Sequence, residues 1–175
     1  ELLDSAKQKM LAARTKRIRP HLDDKILASW NGLMLGAFAR AFAVLGDETY
    51  RVAAEKNLAF IQAKLWVAAQ GGAGSPLPAA ESPDSGAHEP RHRMSGGVTR
   101  PTGTLYHRWR DGERDSVQLL EAYAFQLDGV IQLYEATLDP KHLDFAIALA
   151  EVMIAKFYDA ENGGFWQSTA DAKDL

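Results

Sequence analysis

The chain contains no cysteine. That absence excludes disulfide stapling, thiolate-ligated zinc and thiol redox chemistry within these 175 residues. Long hydrophobic runs are missing as well. The longest uncharged stretch free of proline, Ile26 to Ala39, has 14 residues, against the ~20 apolar residues that a membrane-spanning helix needs. Neither a Gly-x-Ser-x-Gly nucleophile motif nor a phosphate-cradling glycine loop occurs, since Gly71-Gly72-Ala73-Gly74 runs on into linker-like residues. His88 and His92 have the i, i+4 spacing of a helical metal pair, but Pro90 between them removes that geometry. No metal site or cofactor is expected. Charge of one sign is absent too: 20 basic and 23 acidic residues leave a net −3. Nucleic acid and membrane are therefore not expected partners. The locally basic opening (Lys7, Lys9, Arg14, Lys16, Arg17, Arg19) reads as a solvated helix face. No secretory leader opens the sequence, and a cytoplasmic, water-soluble protein is expected.

What the chain has is helical periodicity. With 46% hydrophobic residues it carries enough apolar surface for a real core. Leu2 to Arg17 spaces Leu3, Ala6, Met10 and Ala13 for one face, and Pro20 forces the chain out of helix. Ile26 to Leu45 is apolar nearly all round, the mark of a helix held between others. Gly46-Asp47 reads as a stop followed by an N-cap for an amphipathic helix, Glu48 to Val67, with Tyr50, Ala53, Ala54, Leu58, Ile61 and Leu65 on its stripe.

Residues 71–103 hold seven of the 14 glycines and five of the 7 prolines, and read as a disordered insertion. Thr104 to Trp109 predicts a short extended piece closed by an Asp111-Gly112 turn. Ser116 is the expected cap of a helix over Val117–Thr137, with Leu120, Tyr123, Ala124, Leu127, Val130, Ile131 and Tyr134 inward. Pro140 opens a last helix that buries Leu143, Ala146, Ile147, Ala150, Met153, Ile154 and Phe157. Asn162-Gly163-Gly164 then turns the chain into an extended Phe165–Ser168.

The halves look alike. A shift of 93 residues lays Tyr50, Ala53 and Ile61 on Leu143, Ala146 and Ile154, and Ala43 on Ala136. Repeated αα-hairpins build solenoids and toroids. The expected fold is all-α: consecutive αα-hairpins with short extended segments after each, the first helix of each hairpin being the better buried.

Three blocks carry a family resemblance: RPHLDDKILASWNGLM from Arg19, LEAYAFQLDGVIQLYEATLD from Leu120, and FYDAENGGFW from Phe157. Over residues 14–70 and 104–168 the chain resembles the helical half of the DUF255 family, the YyaL-type proteins and relatives of spermatogenesis-associated protein 20. The resemblance implies part of an (α/α) toroid similar to six-hairpin glycosidases and N-acylglucosamine 2-epimerases. It also implies a thioredoxin-like domain elsewhere in the parent chain, and one toroid domain over residues 1–175 interrupted at 71–103. The family's pattern LEDYAF is LEAYAF here, so Ala122 stands where an Asp is expected and Glu121 is the remaining acid of that element.

The candidate catalytic residues are Asp23, Asp24 and Glu121. Asp23 and Asp24 precede the first buried helix, where each is either an N-terminal cap or a carboxylate facing a cavity. Glu121 is either a solvated acid or a member of the same site. The candidate ligand-binding residues are His21, Trp30, Asn31 and Tyr123: an imidazole near the two acids, an indole that either packs or stacks on a sugar ring, a helix-interior amide that needs partners, and a phenol. Asp128 either pairs with Gln132 or reaches the cavity. Two functions compete. One is a carbohydrate-active toroid, hydrolysing through paired carboxylates or epimerising through a base. The other is a non-catalytic module holding a small-molecule ligand for the thioredoxin-like half.

Overall fold

In the computed structural model, residues 1–68, 103–169 and 172 are described. The insertion assigned to 71–103, with His88 and His92, lies outside them except for Gly103. Among the described residues five helices follow in order: α1 (Leu2–Thr15), α2 (Ala28–Leu45), α3 (Glu48–Lys64), α4 (Leu120–Thr137) and α5 (Pro140–Phe157). Short strands join them: β1 (Ile26–Leu27), β2 (Trp66–Ala68), β3 (Gly103–Leu105), β4 (Arg108–Arg110) and β5 (Glu113–Arg114). α2 with α3, and α4 with α5, are antiparallel hairpins joined by two-residue connections, all-α as expected.

Local chemistry sets these boundaries. Gly46 ends α2 at φ 70°, and Asp47 caps α3 by accepting from the Thr49 amide at 2.9 Å. Asp139 repeats the device for α5, accepting from the Lys141 amide at 3.0 Å, with Pro140 in the first turn. Several expected boundaries move. α2 begins at Ala28, because Ile26 and Leu27 pair with Trp109 and Arg108 as strand. α3 ends at Lys64, because Trp66–Ala68 pair with Leu105–Gly103. α4 begins at Leu120 after Leu119, so Ser116 does not cap it: the preceding residues are held by bonds such as His107 N–H to the Val117 carbonyl. Asp111 and Gly112, both at positive φ, make the expected turn between β4 and β5.

The repeat is present, and its register is 92 residues rather than 93. Ala28 and Leu120, Leu45 and Thr137, Asp47 and Asp139, Glu48 and Pro140 all stand 92 apart as matching helix ends and caps. Ala54 falls on Ala146 and Leu65 on Phe157, all four buried. The one-residue error came from matching apolar residues, which recur too often on these helices to fix a phase; the caps occur once per hairpin.

The same shift affects the predicted faces. On α5 the buried residues are His142, Phe145, Ala146, Ala148, Leu149, Val152 and Phe157, while Leu143 and Ile154 are exposed. On α4 they are Ala122, Tyr123, Gln126, Gly129, Val130 and Leu133, and Ile131 is exposed. The expectation that the first helix of each hairpin is the better buried holds for α2 over α3 and not for α4 over α5.

The reason lies where α2 and α4 meet. A Cβ on Gly32 would stand 2.5 Å from the Phe125 carbonyl carbon, and one on Gly129 would stand 2.5 Å from the Gly32 carbonyl oxygen. A Cβ on Gly36 would meet Gln132 at 3.0 Å. Residue numbers rise together along this seam, so α2 and α4 run parallel, backbone against backbone. α2 is long and apolar enough to cross a membrane by length and composition alone, but one face of it is packed on α4 and α3 and it carries Arg40.

Candidate functional site

Because α2 and α4 are parallel, their N-termini lie at one end of the molecule, and the antiparallel ladder β1-β4-β5 is attached there. This ladder organises the candidate residues. Arg110 on β4 places its Nε 2.9 Å from Asp24 Oδ1 and 3.4 Å from Asp111 Oδ2. Its Nη2 lies 3.2 Å from His21 Nε2. One guanidinium thus gathers Asp24 and His21, two residues that sequence reasoning had already singled out. Asp23 turns aside and pairs with Lys25 at 3.2 Å. Neither aspartate caps α2, whose N-cap residue is Leu27 and accepts no side-chain help.

Trp30, in the first turn of α2, is 62% exposed. It is not a core residue of the described chain. Asn31 donates through Nδ2 to the Leu27 carbonyl at 2.8 Å and accepts from Asn57 Nδ2 at 3.0 Å. Its amide therefore ties the start of α2 to α3. Glu121 is half-buried in the first turn of α4. Tyr123 is fully buried: its hydroxyl accepts from the Leu105 amide at 2.8 Å and faces Gln118 Oε1 at 3.3 Å. Burial pushes that phenol up to about 12. In this chain the ring anchors β3 and offers no face to a ligand. Asp128 accepts from Gln132 at 2.6 Å, the pairing its spacing suggested.

Three polar groups were missed. Arg110 is the hub, and nothing local to Arg108-Trp109-Arg110 says that β4 pairs with β1 more than eighty residues earlier. Gln126, fully buried, donates to the Ala28 carbonyl at 2.7 Å across the inner seam. Lys156 bonds Gln118 Oε1 at 2.7 Å and Thr104 Oγ1 at 3.1 Å, extending the support behind Tyr123.

Two parallel inner helices, each backed by an antiparallel outer helix and joined by short strands, define a sector of an (α/α) toroid of the six-hairpin glycosidase-like class. The chain superposes on cellobiose 2-epimerase from Spirochaeta thermophila with a TM-score of 0.59 and 17% identity, over 84% of this chain and 30% of that one. On a glycoside hydrolase family 76 mannosidase from Bacteroides thetaiotaomicron the TM-score is 0.60 at 12% identity, over 87% of this chain and 33% of that one. These likenesses establish the fold.

The chain is a homologue of spermatogenesis-associated protein 20. It is 31% identical to the human protein over 170 residues and 29% identical to the rat protein over 178 residues, each alignment spanning 97% of this chain. An uncharacterised Caenorhabditis elegans protein, B0495.5, is 26% identical over 169 residues. The chain spans about a fifth of the length of these relatives. No protein-family model matches it.

Proposed function

We propose that this chain supplies one sector of a carbohydrate site in a toroid. The observation that carries the reading is the bridge His21–Arg110–Asp24, set at the N-terminal end of two parallel inner helices. A carboxylate and an imidazole held by one guanidinium form a compact polar set. The carboxylate accepts hydrogen bonds from sugar hydroxyls, and the imidazole takes or returns a proton at the sugar. Trp30 is the aromatic face available for ring stacking at that end, and Glu121 is the acid that the neighbouring helix contributes. The two similar toroid structures come from sugar-acting enzymes, which supports the substrate class. The thioredoxin-like domain belongs to the proposal for the longer parent protein.

The test is calorimetric titration of the full-length parent with glucose, mannose, N-acetylglucosamine and cellobiose, repeated for Asp24→Asn and His21→Ala. Binding of one sugar should be lost in both variants. Stability should change little in Asp24→Asn, since an exposed pair such as Asp24–Arg110 contributes about 0–1 kcal/mol. Unchanged affinity in both variants would remove the reading.

A further inference from the structure

Two Asn-Gly pairs occur in the chain, Asn31-Gly32 and Asn162-Gly163, and the fold treats them oppositely. Asparagine before glycine is the amide most open to loss, because no Cβ obstructs the approach of the glycine nitrogen to the asparagine Cγ. Asn31-Gly32 lies inside α2. Its amide is tied to the Leu27 carbonyl at 2.8 Å and to Asn57 at 3.0 Å, and Gly32 is pressed on the Phe125–Gln126 backbone. Asn162-Gly163 instead stands exposed in the loop between Tyr158 and Phe165, and a Cβ on Gly163 would meet nothing within 4 Å. Asp159 holds this second pair. Its carbonyl accepts from the Gly163 amide at 2.8 Å, its Oδ2 from Asn162 Nδ2 at 2.9 Å and its Oδ1 from the Asn162 amide at 3.3 Å.

The loop has a counterpart in the first hairpin. Trp166 N–H bonds the Phe157 carbonyl at 2.8 Å as Tyr106 N–H bonds the Leu65 carbonyl at 3.0 Å. Leu120 N–H bonds the Gln167 carbonyl as Ala28 N–H bonds that of His107, both at 2.9 Å. Residues 159–164 therefore stand where the first copy connects β2 to β3. A position that takes a much longer connection in one copy lies at the outer surface, so the loop stays open to water in the longer parent.

We propose that Asn162-Gly163 is a site of spontaneous deamidation, and that the charge it creates releases the strand closing the start of α4. When the loop opens, the Gly163 backbone nitrogen gives up its proton and attacks Asn162 Cγ. A bond forms between those atoms, the Cγ–Nδ2 bond breaks, and Nδ2 leaves as ammonia with the proton. Water then opens the cyclic imide at either of its carbonyl carbons, leaving aspartate or isoaspartate. Either product puts a carboxylate beside Asp159, whose Oδ2 had accepted from the lost amide. That amide is also the first reason Asp159 titrates below the ordinary carboxylate range, so two like charges then face each other. The effect passes along the strand: Phe165 pairs with Tyr158, Trp166 bonds Phe157, and Gln167 accepts from Leu120, the first residue of α4.

The test incubates the native full-length parent in mildly alkaline buffer beside a urea-unfolded sample, and follows both by peptide mass spectrometry and isoaspartate labelling. In the native protein Asn162 should convert from amide to acid while Asn31 stays an amide; in the unfolded sample both should convert. Asp159→Ala removes the side-chain hold and should speed conversion of Asn162 roughly tenfold, as for a loop freed to open. The consequence is read separately in Asn162→Asp, where hydrogen exchange at the Trp166 and Leu120 amides should rise roughly tenfold and exchange within α2 should not change. An Asn162 that stays intact in the native parent, or converts no faster than Asn31, would overturn the site. An unchanged rate in Asp159→Ala would overturn the hold by Asp159. Unchanged exchange at Trp166 and Leu120 in Asn162→Asp would overturn the release of the strand.

Discussion

The first and second hairpins share one frame and spend it differently. Both turn through a left-handed residue, Gly46 at φ 70° and Leu138 at φ 56°, and both cap the outer helix with aspartate. In the first hairpin the turn residue is the one suited to that conformation. In the second, a leucine carries the strain. The first turns of the inner helices differ as well: Trp30 stands largely in solvent, whereas its counterpart Ala122 is fully buried. A methyl suits that closed position; an indole would not fit it without displacing its neighbours. The strands at the site end also differ, for β1 recruits β4 and with it Arg110, while Leu119 makes only an isolated bridge to Ser168. Equivalent backbone thus carries a polar cluster in one copy and packing in the other.

The comparison breaks most readily at the seam. Gly32→Ala drives a methyl into the Phe125–Gln126 backbone and should cost about 3 kcal/mol, at the upper end for overpacking. Urea denaturation measures it. Gly46→Ala meets no atom within 4 Å and should cost only about 1 kcal/mol, through its backbone conformation. A similar loss in both variants would mean that the helices are not pressed together as described.

Next in size is Tyr123→Phe. It leaves the buried Leu105 amide without its acceptor and should cost about 1–3 kcal/mol. The counterpart of Tyr123 is Asn31, which makes its own bonds to Leu27 and Asn57. Asn31→Ala should therefore loosen the α2–α3 pairing and leave β3 protected in hydrogen exchange, the reverse of what Tyr123→Phe does.

Leu138→Gly should work in the opposite direction. Leu138 is 71% exposed, so removing its side chain sacrifices little burial while relieving the left-handed strain. A gain of about 1 kcal/mol is expected. A loss would show that the leucine side chain packs in solution.

The smallest effect is a pH slope tied to His142, whose counterpart is Tyr50. Burial lowers its pKa below the usual histidine value, with Asp139 and Glu55 opposing the shift and Lys141 adding to it. Its ring nitrogens find no hydrogen-bond partner among the described residues. A lowered folded-state value means that the unfolded chain binds the proton more readily. This contribution is therefore fully present above the unfolded pKa of about 6.5 and is lost as pH falls from there through the folded value. His142→Tyr, which copies the first hairpin, should flatten the acid limb of a stability–pH profile. An unaltered limb would place the titration elsewhere.

Some of this was written in the residues themselves. Gly46-Asp47, Pro140 and Asp111-Gly112 act within a turn of chain, and each formed where expected because caps and turns depend on neighbours in sequence. The all-α hairpin repeat was legible for the same reason. His21 and Asp24 could be suspected from their crowding before an apolar helix. Only tertiary structure decided the rest. The phase of the buried faces depended on where α2 and α4 touch, and that contact was set by Gly32, Gly36 and Gly129, which carry no hydropathic signal. Tyr123 became a brace for β3, and Asp24 an ion-pair partner and not a cap, through strands far apart in the chain. Arg110 joined the candidate site by the same route, since the pairing of β4 with β1 is specified by the packing of both hairpins and by no local pattern.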